Sequence, residues 1–300
     1  MSQQWRTQSE RGSAWLIRLI IWITLHLGHR SGRLLLYPIT CYFLLFSARA
    51  HRASRHYLQR VLSHPVRWRD IFRHYHSFSV TILDRIFFLT GRHQHFDIHI
   101  HGEELLQQVL EKGGCILLGS HLGSFEVLRT LAVARTELPI KVLMYEDNAE
   151  KINAALAPLN PAVAKTVIPI GRPESLFQVQ ETLAAGGLVG ILGDRLSLEE
   201  KQVRCRFLGA EATFPAGPLL LAGILHSPVI IFFGLYRGGR RYDIHFELLA
   251  EEITLGRGEQ RQNAVAEWTQ RYAERLEHYC RLAPYNWFNF YDFWAEGDDV

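Results

Sequence analysis

The chain has 300 residues, of which 48% are hydrophobic and 21% charged, and its formal net charge is +3. This length is sufficient for one large α/β domain or two small ones, and the apolar content excludes a disordered chain. The four cysteines are far apart and form no C-x-x-C pair, which argues against a disulfide framework or a zinc site and predicts buried thiols in a reducing compartment.

The charge is unevenly distributed along the chain. Residues 1–100 contain fourteen arginines, no lysine and four acidic residues, a net charge of +10, whereas the remaining residues carry −7. An arginine-rich, amphipathic N-terminal region that contains tryptophan suits an anionic membrane surface. Nucleic acid is disfavoured as a partner because the intervening residues are aliphatic. We therefore expect a membrane partner and no nucleic acid.

Residues 1–90 are predicted to form a helical region that associates with a membrane. Two apolar runs, Ala14–Leu27 and Leu34–Phe46, are joined by the basic link Gly28–Arg33. Neither run reaches the roughly 20 apolar residues that a spanning helix needs, so two helices at the membrane interface are predicted. A single tilted anchor helix at Trp15–Leu27 and a pair of ordinary core helices remain open alternatives.

Two further helices are predicted at Ala48–Leu62 and Trp68–Phe88, and a stretch in which polar and apolar residues alternate follows them. In His93–His101 the histidines and Asp97 share one face and apolar residues share the other, which is typical of a half-buried strand. The H-x-H spacing raises a metal hypothesis, but Asp97 is the one clear partner. We interpret this face as solvated and predict no metal.

The next stretch, Gly114–Arg129, is predicted to form a strand, a tight polar turn and a helix that begins near Glu126, with Ser124 as N-cap. His121 lies in the turn, and a histidine of near-neutral pKa can take a proton from a hydroxyl that attacks a carbonyl. We expect Glu126 to hold the ring, and the N–H groups of residues 123–125 to stabilise an oxyanion. The alternative is that His121 merely caps a turn and Glu126 interacts with the helix dipole.

A serine hydrolase is less favoured by this stretch. The nucleophile elbow G-x-S-x-G places a serine at its centre, whereas the central residue of Gly119–Gly123 is His121. Ser120 and Ser124 lie to either side of the centre. Any attacking hydroxyl would therefore come from a substrate.

Residues 91–300 are predicted to form an α/β domain with a mainly parallel central sheet flanked by helices, because strands and helices alternate. Its further predicted strands are Pro139–Met144, Thr166–Ile170, Leu188–Leu192, Pro228–Leu235 and an outer strand Arg241–Leu249, the last two as a hairpin. Its further predicted helices are Glu103–Glu111, Glu150–Leu156, Ser175–Ala185, Leu219–Leu225 and Ala264–Leu282. Leu196–Arg206 is predicted to be a charged, lid-like loop. Because ligands gather beyond the strand ends of such sheets, we expect Arg172, Asp194 and Arg195 at the same edge as His121.

The C-terminal segment Pro284–Trp294 contains seven aromatic residues in eleven. It is interpreted as a plug in the core, and one wall of an apolar groove is the alternative.

In order and spacing, several short motifs resemble the bacterial lipid A biosynthesis late acyltransferase family. These are HLGSFE at 121–126, IGR at 170–172, GDR at 193–195, FLG and FPAGP within 207–218, and WFNFYDFW at 287–294. The FPAGP segment also resembles the F-P-E-G-T block of glycerolipid acyltransferases but has Ala216 at the position of the acid. Any role that needs that carboxylate is therefore in doubt.

The resemblance implies acyl transfer from an acyl-carrier-protein or coenzyme A thioester to a lipid hydroxyl at the cytoplasmic face of the inner membrane, without a metal or redox cofactor. It implies that His121 is the general base and Glu126 its partner. Donor or acceptor would be bound by a second set of residues, Ser124, Arg172, Asp194, Arg195 and Gly217. A buried network of salt bridges is the alternative for the charged members of that set. A thioesterase or lipid hydrolase and a non-catalytic acyl-lipid binding protein are the other functions that the sequence leaves open.

Overall fold

The computed structural model describes residues 14–134, 138–144, 154–196 and 201–294. The helices are α1 (Ala14–Phe46), α2 (Ala48–Val61), α3 (Trp68–Leu89), α4 (Glu103–Lys112), α5 (Phe125–Ala134), α6 (Pro161–Ala164), α7 (Pro173–Ala184), α8 (Gly217–Ile224) and α9 (Glu259–Leu282). The strands are β1 (Asp97–His101), β2 (Cys115–Gly119), β3 (Ile140–Met144), β4 (Val167–Pro169), β5 (Leu188–Leu192), β6 (Gln202–Phe207), β7 (Ala210–Pro215), β8 (Val229–Gly238) and β9 (Arg241–Ala250).

Seven strands form one sheet in the order β1-β9-β8-β2-β5-β3-β4, and β6 and β7 form a separate antiparallel hairpin. Every neighbouring pair in the large sheet is parallel except the β8–β9 hairpin. The strands β8, β2, β5, β3 and β4 therefore run in one direction, and their carboxyl ends lie at one edge of the sheet. The predicted α/β class with a mainly parallel sheet is confirmed.

Individual strands differ from the sequence prediction in three places. His93–His95 form a short helical turn, so that β1 begins only at Asp97. β9 is not an outer strand, because β1 pairs with its far side. Part of the predicted loop Leu196–Arg206 is strand β6, in which exposed residues alternate with half-buried or buried ones. The polar residues of this stretch had favoured a loop in the sequence prediction. Most of the predicted helix Glu150–Leu156 lies outside the described residues.

Helix α1 contains both predicted apolar runs, with one break between them. Gly28 adopts φ 84° and ψ 172°, which lies outside the helical region. Glycine adopts such a positive φ more readily than any other residue. The predicted link Gly28–Arg33 is therefore helical except at its first residue. The prediction of two helices is therefore confirmed, and the two helical segments of α1 meet directly at the kink at Gly28.

The outer side of α1 is unusually apolar for an exposed surface. Large exposed side chains along it are Trp15, Leu16, Trp22, Leu27, Leu34, Tyr37, Tyr42, Leu45 and Phe46. In the described part of the chain no single helix meets the length and hydropathy of a membrane span. The pair Trp15–Phe46 and Ala48–Val61 meets them jointly, with a 96° bend between its members.

Both faces of the sheet are covered by apolar side chains. On one face, Phe87 and Phe88 of α3 pack with Tyr242 of β9, next to α4 and α5. On the other face lies the largest cluster, which contains Trp287 and Trp294. It is formed by α9, the β6–β7 hairpin and the C-terminal segment Pro284–Trp294, called the aromatic segment below. Phe87 and Phe88 of α3 pack in the same core as the sheet, so the predicted boundary after residue 90 does not separate two cores. The division into two domains stays a prediction.

The cysteines are free thiols, as the sequence predicts. Cys115, Cys205 and Cys280 are buried as predicted, whereas Cys41 is exposed on α1, so the prediction of buried thiols is wrong for Cys41.

A buried carboxylate joins α1 to α3 and the sheet. Asp84 is fully buried and lies 2.8 Å from Nε2 of His29 and 3.0 Å from the guanidinium of Arg33. The hydroxyl of Tyr242 also donates to it, at 2.8 Å, and Arg33 donates to the hydroxyl of Tyr236, at 2.8 Å. Removing one partner from such a cluster leaves uncompensated buried charge, so Asp84 holds α1 against the sheet.

We predict that Asp84→Ala lowers the free energy of unfolding by about 3 kcal/mol or more, because the Arg33 guanidinium loses its buried partner. The matched control is Glu267→Ala, which removes an exposed i,i+4 pair with Arg271 and should cost less than about 0.5 kcal/mol. Thermal unfolding of the purified chain in detergent checks both. Equal shifts in the two variants would contradict the role assigned to Asp84.

Candidate active site

The candidate site lies where two adjacent parallel strands end. β2 and β5 pair in register, with Gly119 opposite Leu192, so His121 and Asp194 each follow two residues later. Nδ1 of His121 lies 2.8 Å from Oδ1 of Asp194, and the backbone N–H of His121 donates to the same carboxylate at 3.0 Å. The fold thereby brings together two residues that are 73 positions apart in the chain.

The carboxylate of Asp194 is fully buried and surrounded by donors. Nε1 of Trp287 donates to it at 2.9 Å and Nδ2 of Asn289 at 3.2 Å. Burial by itself would raise the pKa of Asp194, but His121 and Arg195 outweigh that effect and hold the pKa below its ordinary value. Asp194 is therefore an ionised acceptor that is held in one orientation.

The imidazole of His121 is partly accessible, with 24% of the side chain exposed. Burial and the guanidinium of Arg195 lower the pKa of His121, and the hydrogen bond and charge of Asp194 oppose them in part. The ring is consequently neutral near pH 7. Since Asp194 accepts from Nδ1, the proton of the neutral ring resides there, and the lone pair of Nε2 is available as a base.

Glu126 does not occupy the place beside His121 that the sequence predicts. Its carboxylate is buried and lies 2.9 Å from the guanidinium of Arg85 on α3 and 3.6 Å from that of Arg129 on α5. No hydrogen bond joins Glu126 and His121 in the described part of the chain. The H-x-x-x-x-E spacing is present, but the carboxylate that orients the ring is that of Asp194.

The turn after β2 is fixed by a close backbone contact. Gly123 has φ +75°, and a Cβ there would lie 2.0 Å from the carbonyl oxygen of Gly234 on β8. The N–H of Gly123 donates to Asn286 at 2.8 Å and that of Ser124 to Gly234 at 2.7 Å. Two of the three amides expected to stabilise an oxyanion are therefore already engaged, which leaves that of Phe125.

Ser124 does not act as the predicted N-cap. Its side chain is buried, and its hydroxyl has no hydrogen-bond partner within the described residues. Its backbone, through the bond to Gly234, is what secures the turn.

Arg195 connects the site to the aromatic segment. Its guanidinium donates to Oδ1 of Asn289 at 2.8 Å and to the backbone oxygen of Phe288 at 2.9 Å. The N–H of Phe288 in turn donates to the carbonyl of His121 at 2.8 Å. These hydrogen bonds hold the segment against the His121 turn, but they go to uncharged groups and are not the salt bridges of the alternative interpretation. The contact of Arg195 with a substrate stays a prediction.

Arg172 and Gly217 lie on other elements of the fold. Arg172 is exposed at the start of α7 and follows β4, the edge strand that is separated from β5 by β3. It shares the sheet edge with His121, as predicted, but not its immediate surroundings. Gly217 is half-buried and begins α8 directly after the β6–β7 hairpin.

Sequence reasoning missed the roles of Trp287 and Asn289. Both lie in the segment interpreted as a core plug, and Trp287 is indeed fully buried. They also donate to Asp194, so the segment completes the site as well as the core. The indole and amide groups in WFNF could have indicated these roles, because such polar groups need hydrogen-bond partners when they are buried.

The chain was compared with known protein families. The sequence model of the bacterial lipid A biosynthesis acyltransferase family matches residues 2–295, nearly the whole chain. No curated protein matches the chain.

We predict that Asp194→Asn lowers the pKa of His121 further, because the carboxylate charge that raises this pKa is removed. Glu126→Gln should leave the pKa of His121 unchanged, because Glu126 contacts Arg85 and Arg129 instead. NMR titration of histidine-labelled protein measures both values, and His121→Gln assigns the signal. A shift with Glu126→Gln and none with Asp194→Asn would restore Glu126 as the partner.

Proposed function

Because the chain belongs to the bacterial lipid A biosynthesis acyltransferase family, it is an acyltransferase of lipid biosynthesis, and we propose how it acts. It transfers a fatty acyl chain from an acyl-carrier-protein or coenzyme A thioester to a hydroxyl of a lipid A-like or related acceptor. The observation that supports this proposal is the neutral, partly exposed imidazole of His121 on a buried, ionised Asp194.

His121 acts as the general base. Nε2 accepts the proton of the acceptor hydroxyl while that oxygen attacks the thioester carbonyl, and Asp194 stabilises the imidazolium that results. The tetrahedral intermediate then breaks its carbon–sulfur bond, and the imidazolium returns the proton to the leaving thiolate. The products are an ester and a free thiol. Since a thioester is already activated, positioning and proton transfer account for the chemistry.

The oxyanion of the intermediate is stabilised by the N-terminal end of α5. Gly123 and Ser124 donate their N–H groups to protein carbonyls, so Phe125 supplies the amide. The positive end of the helix dipole adds to it. We keep Ser124, Arg172 and Gly217 as proposed substrate contacts at and around this edge.

Glu126 acts as a positioning residue in this proposal. Through its pairs with Arg85 of α3 and Arg129 within α5, it holds the first turn of α5 against α3. The His121 turn leads directly into that helix. The H-x-x-x-x-E spacing then serves the site by fixing where α5 begins.

In this proposal the protein lies at the cytoplasmic face of the inner membrane and takes its acceptor from that membrane. Exposed apolar side chains along α1 stand beside exposed arginines at positions such as Arg18, Arg30, Arg49, Arg52 and Arg55. An apolar surface bordered by cations favours insertion into the interface of anionic lipids. The same cations favour an acidic carrier protein as donor.

We predict that His121→Ala lowers the rate of acyl transfer by roughly 10²–10⁴-fold, the usual contribution of a general base. Asp194→Asn should cause a loss of similar order and Glu126→Gln a smaller one. Transfer from an acyl thioester to a lipid acceptor is measured by mass spectrometry, and thermal unfolding checks that each variant is folded.

Two outcomes would contradict this assignment. Full activity in His121→Ala would exclude the base and favour an acyl-lipid binding protein. Free fatty acid as the sole product, with and without acceptor lipids, would favour a thioesterase.

We predict that replacing Arg49, Arg52 and Arg55 of α2 by glutamine raises the KM for an acyl-carrier-protein donor by roughly tenfold at low salt, with a smaller effect at high salt. The matched control replaces Arg204, Arg240 and Arg257, three exposed arginines of the C-terminal part. Steady-state kinetics with detergent-solubilised acceptor measures KM. An unchanged KM with weakened binding to anionic vesicles would assign these arginines to the membrane alone.

A further inference from the structure

A second cluster of ionisable side chains lies on strands β1 and β9. The parallel register places His101 opposite His245, and His99 opposite Asp243. The two imidazole rings of His101 and His245 stack with centroids 4.5 Å apart and planes inclined by 9°. One nitrogen from each ring and one carboxylate oxygen of Asp243 all lie within 4.8 Å of one another.

The opposite face of the same strands fixes this register. Ile98 and Ile100 of β1 pack with Tyr242, Ile244 and Phe246 of β9 in the core on that face. Because side chains alternate along a strand, burying this set sends the histidines and Asp243 to the other face. The hydrophobic core therefore brings the three polar groups together.

One nitrogen of the cluster lacks a partner that a metal ion would supply. Nε2 of His245 is buried and has no hydrogen-bond partner in the described residues. A cation placed between the two stacked rings and the carboxylate of Asp243 would use one donor atom from each of the three groups.

We propose that His101, Asp243 and His245 bind a divalent transition-metal ion of borderline softness, with Zn²⁺ as the best fit. Two imidazole nitrogens and one carboxylate oxygen are a common zinc ligand set and leave a coordination position open. Ligands of a tetrahedral zinc ion lie about 3.3 Å apart, given bonds of about 2.0 Å. His101 is exposed, so its ring has room to turn towards the other two groups.

Neighbouring charges orient the carboxylate in this site. Nε of Arg241 lies 3.0 Å and Nε of Arg237 3.3 Å from the carboxylate oxygens of Asp243. The hydrogen bond from Arg241 and the ion pair with Arg237 position the ligating carboxylate, while the two cations weaken the affinity for a metal ion. Glu247, two residues beyond His245, is engaged by Arg275 and Tyr279 at 2.7 Å or less.

The site is separate from the one at His121. Strand β8 lies between β9 and β2 in the sheet. A bound ion would join the edge strand β1 to β9, and because it binds the folded chain it would stabilise the fold. The sequence interpretation of a solvated histidine face without a metal is the alternative that the experiment tests.

The experiment titrates untagged, metal-free full-length protein in detergent with Zn²⁺ alone, in competition with a chromogenic chelator, and follows thermal unfolding in parallel. We expect one zinc ion per chain and a raised unfolding temperature. His101→Ala and His245→Ala should each weaken binding by roughly tenfold or more. The matched control His226→Ala removes an exposed histidine paired with Glu252 and should change nothing.

Further readouts separate a site from adventitious binding. Co²⁺ in place of Zn²⁺ should give visible absorption bands that are lost in His101→Ala, whose exposed side chain can be removed without disturbing the core. Zinc binding of equal affinity in all variants, or no stoichiometric binding, would overturn the proposal. Neither outcome bears on acyl transfer, which depends on His121.

Discussion

The buried carboxylate of Asp194 is the interaction on which the candidate site depends. It accepts hydrogen bonds from the ring and backbone of His121, from the indole of Trp287 and from the amide of Asn289. A fully buried carboxylate is costly unless such donors surround it. The site and the core around Trp287 are therefore stabilised by the same charge, and loss of any donor affects both.

The aromatic segment explains how a site at a sheet edge can be rigid. Backbone bonds join Gly123 to Asn286 and His121 to Phe288, so the segment pairs with the turn almost as a strand would. Arg195 closes the arrangement through Asn289. The ring of His121 is thus held from its backbone and from Nδ1, and Nε2 is the atom that would accept the proton in the proposed mechanism. Preorganisation of this kind is what proton transfer in a bound complex requires.

Charged side chains have different surroundings in the core and on the surface of α1 and α2. Within the core, Asp84, Asp194 and Glu126 each bring arginine or histidine to elements that are distant in the chain. On the surface of α1 and α2, exposed arginines such as Arg18, Arg49 and Arg52 stand beside exposed apolar residues. The N-terminal helices therefore combine an inner side that is anchored by Asp84 with an outer side that is apolar and cationic.

Local patterns in the sequence were sufficient for much of this protein. Alternation of strands and helices predicted the parallel sheet, the strand Leu188–Leu192 has the predicted bounds, and the turn after β2 placed His121 at a strand end. These properties depend on periodicity and on residues close together in the chain. The partner of His121 and the meeting of His101 with His245 depend on which strands are neighbours. Sheet order and register, fixed by burial of distant apolar faces, decided those, and for that reason the nearby Glu126 was chosen from sequence and the distant Asp194 was found only in the fold.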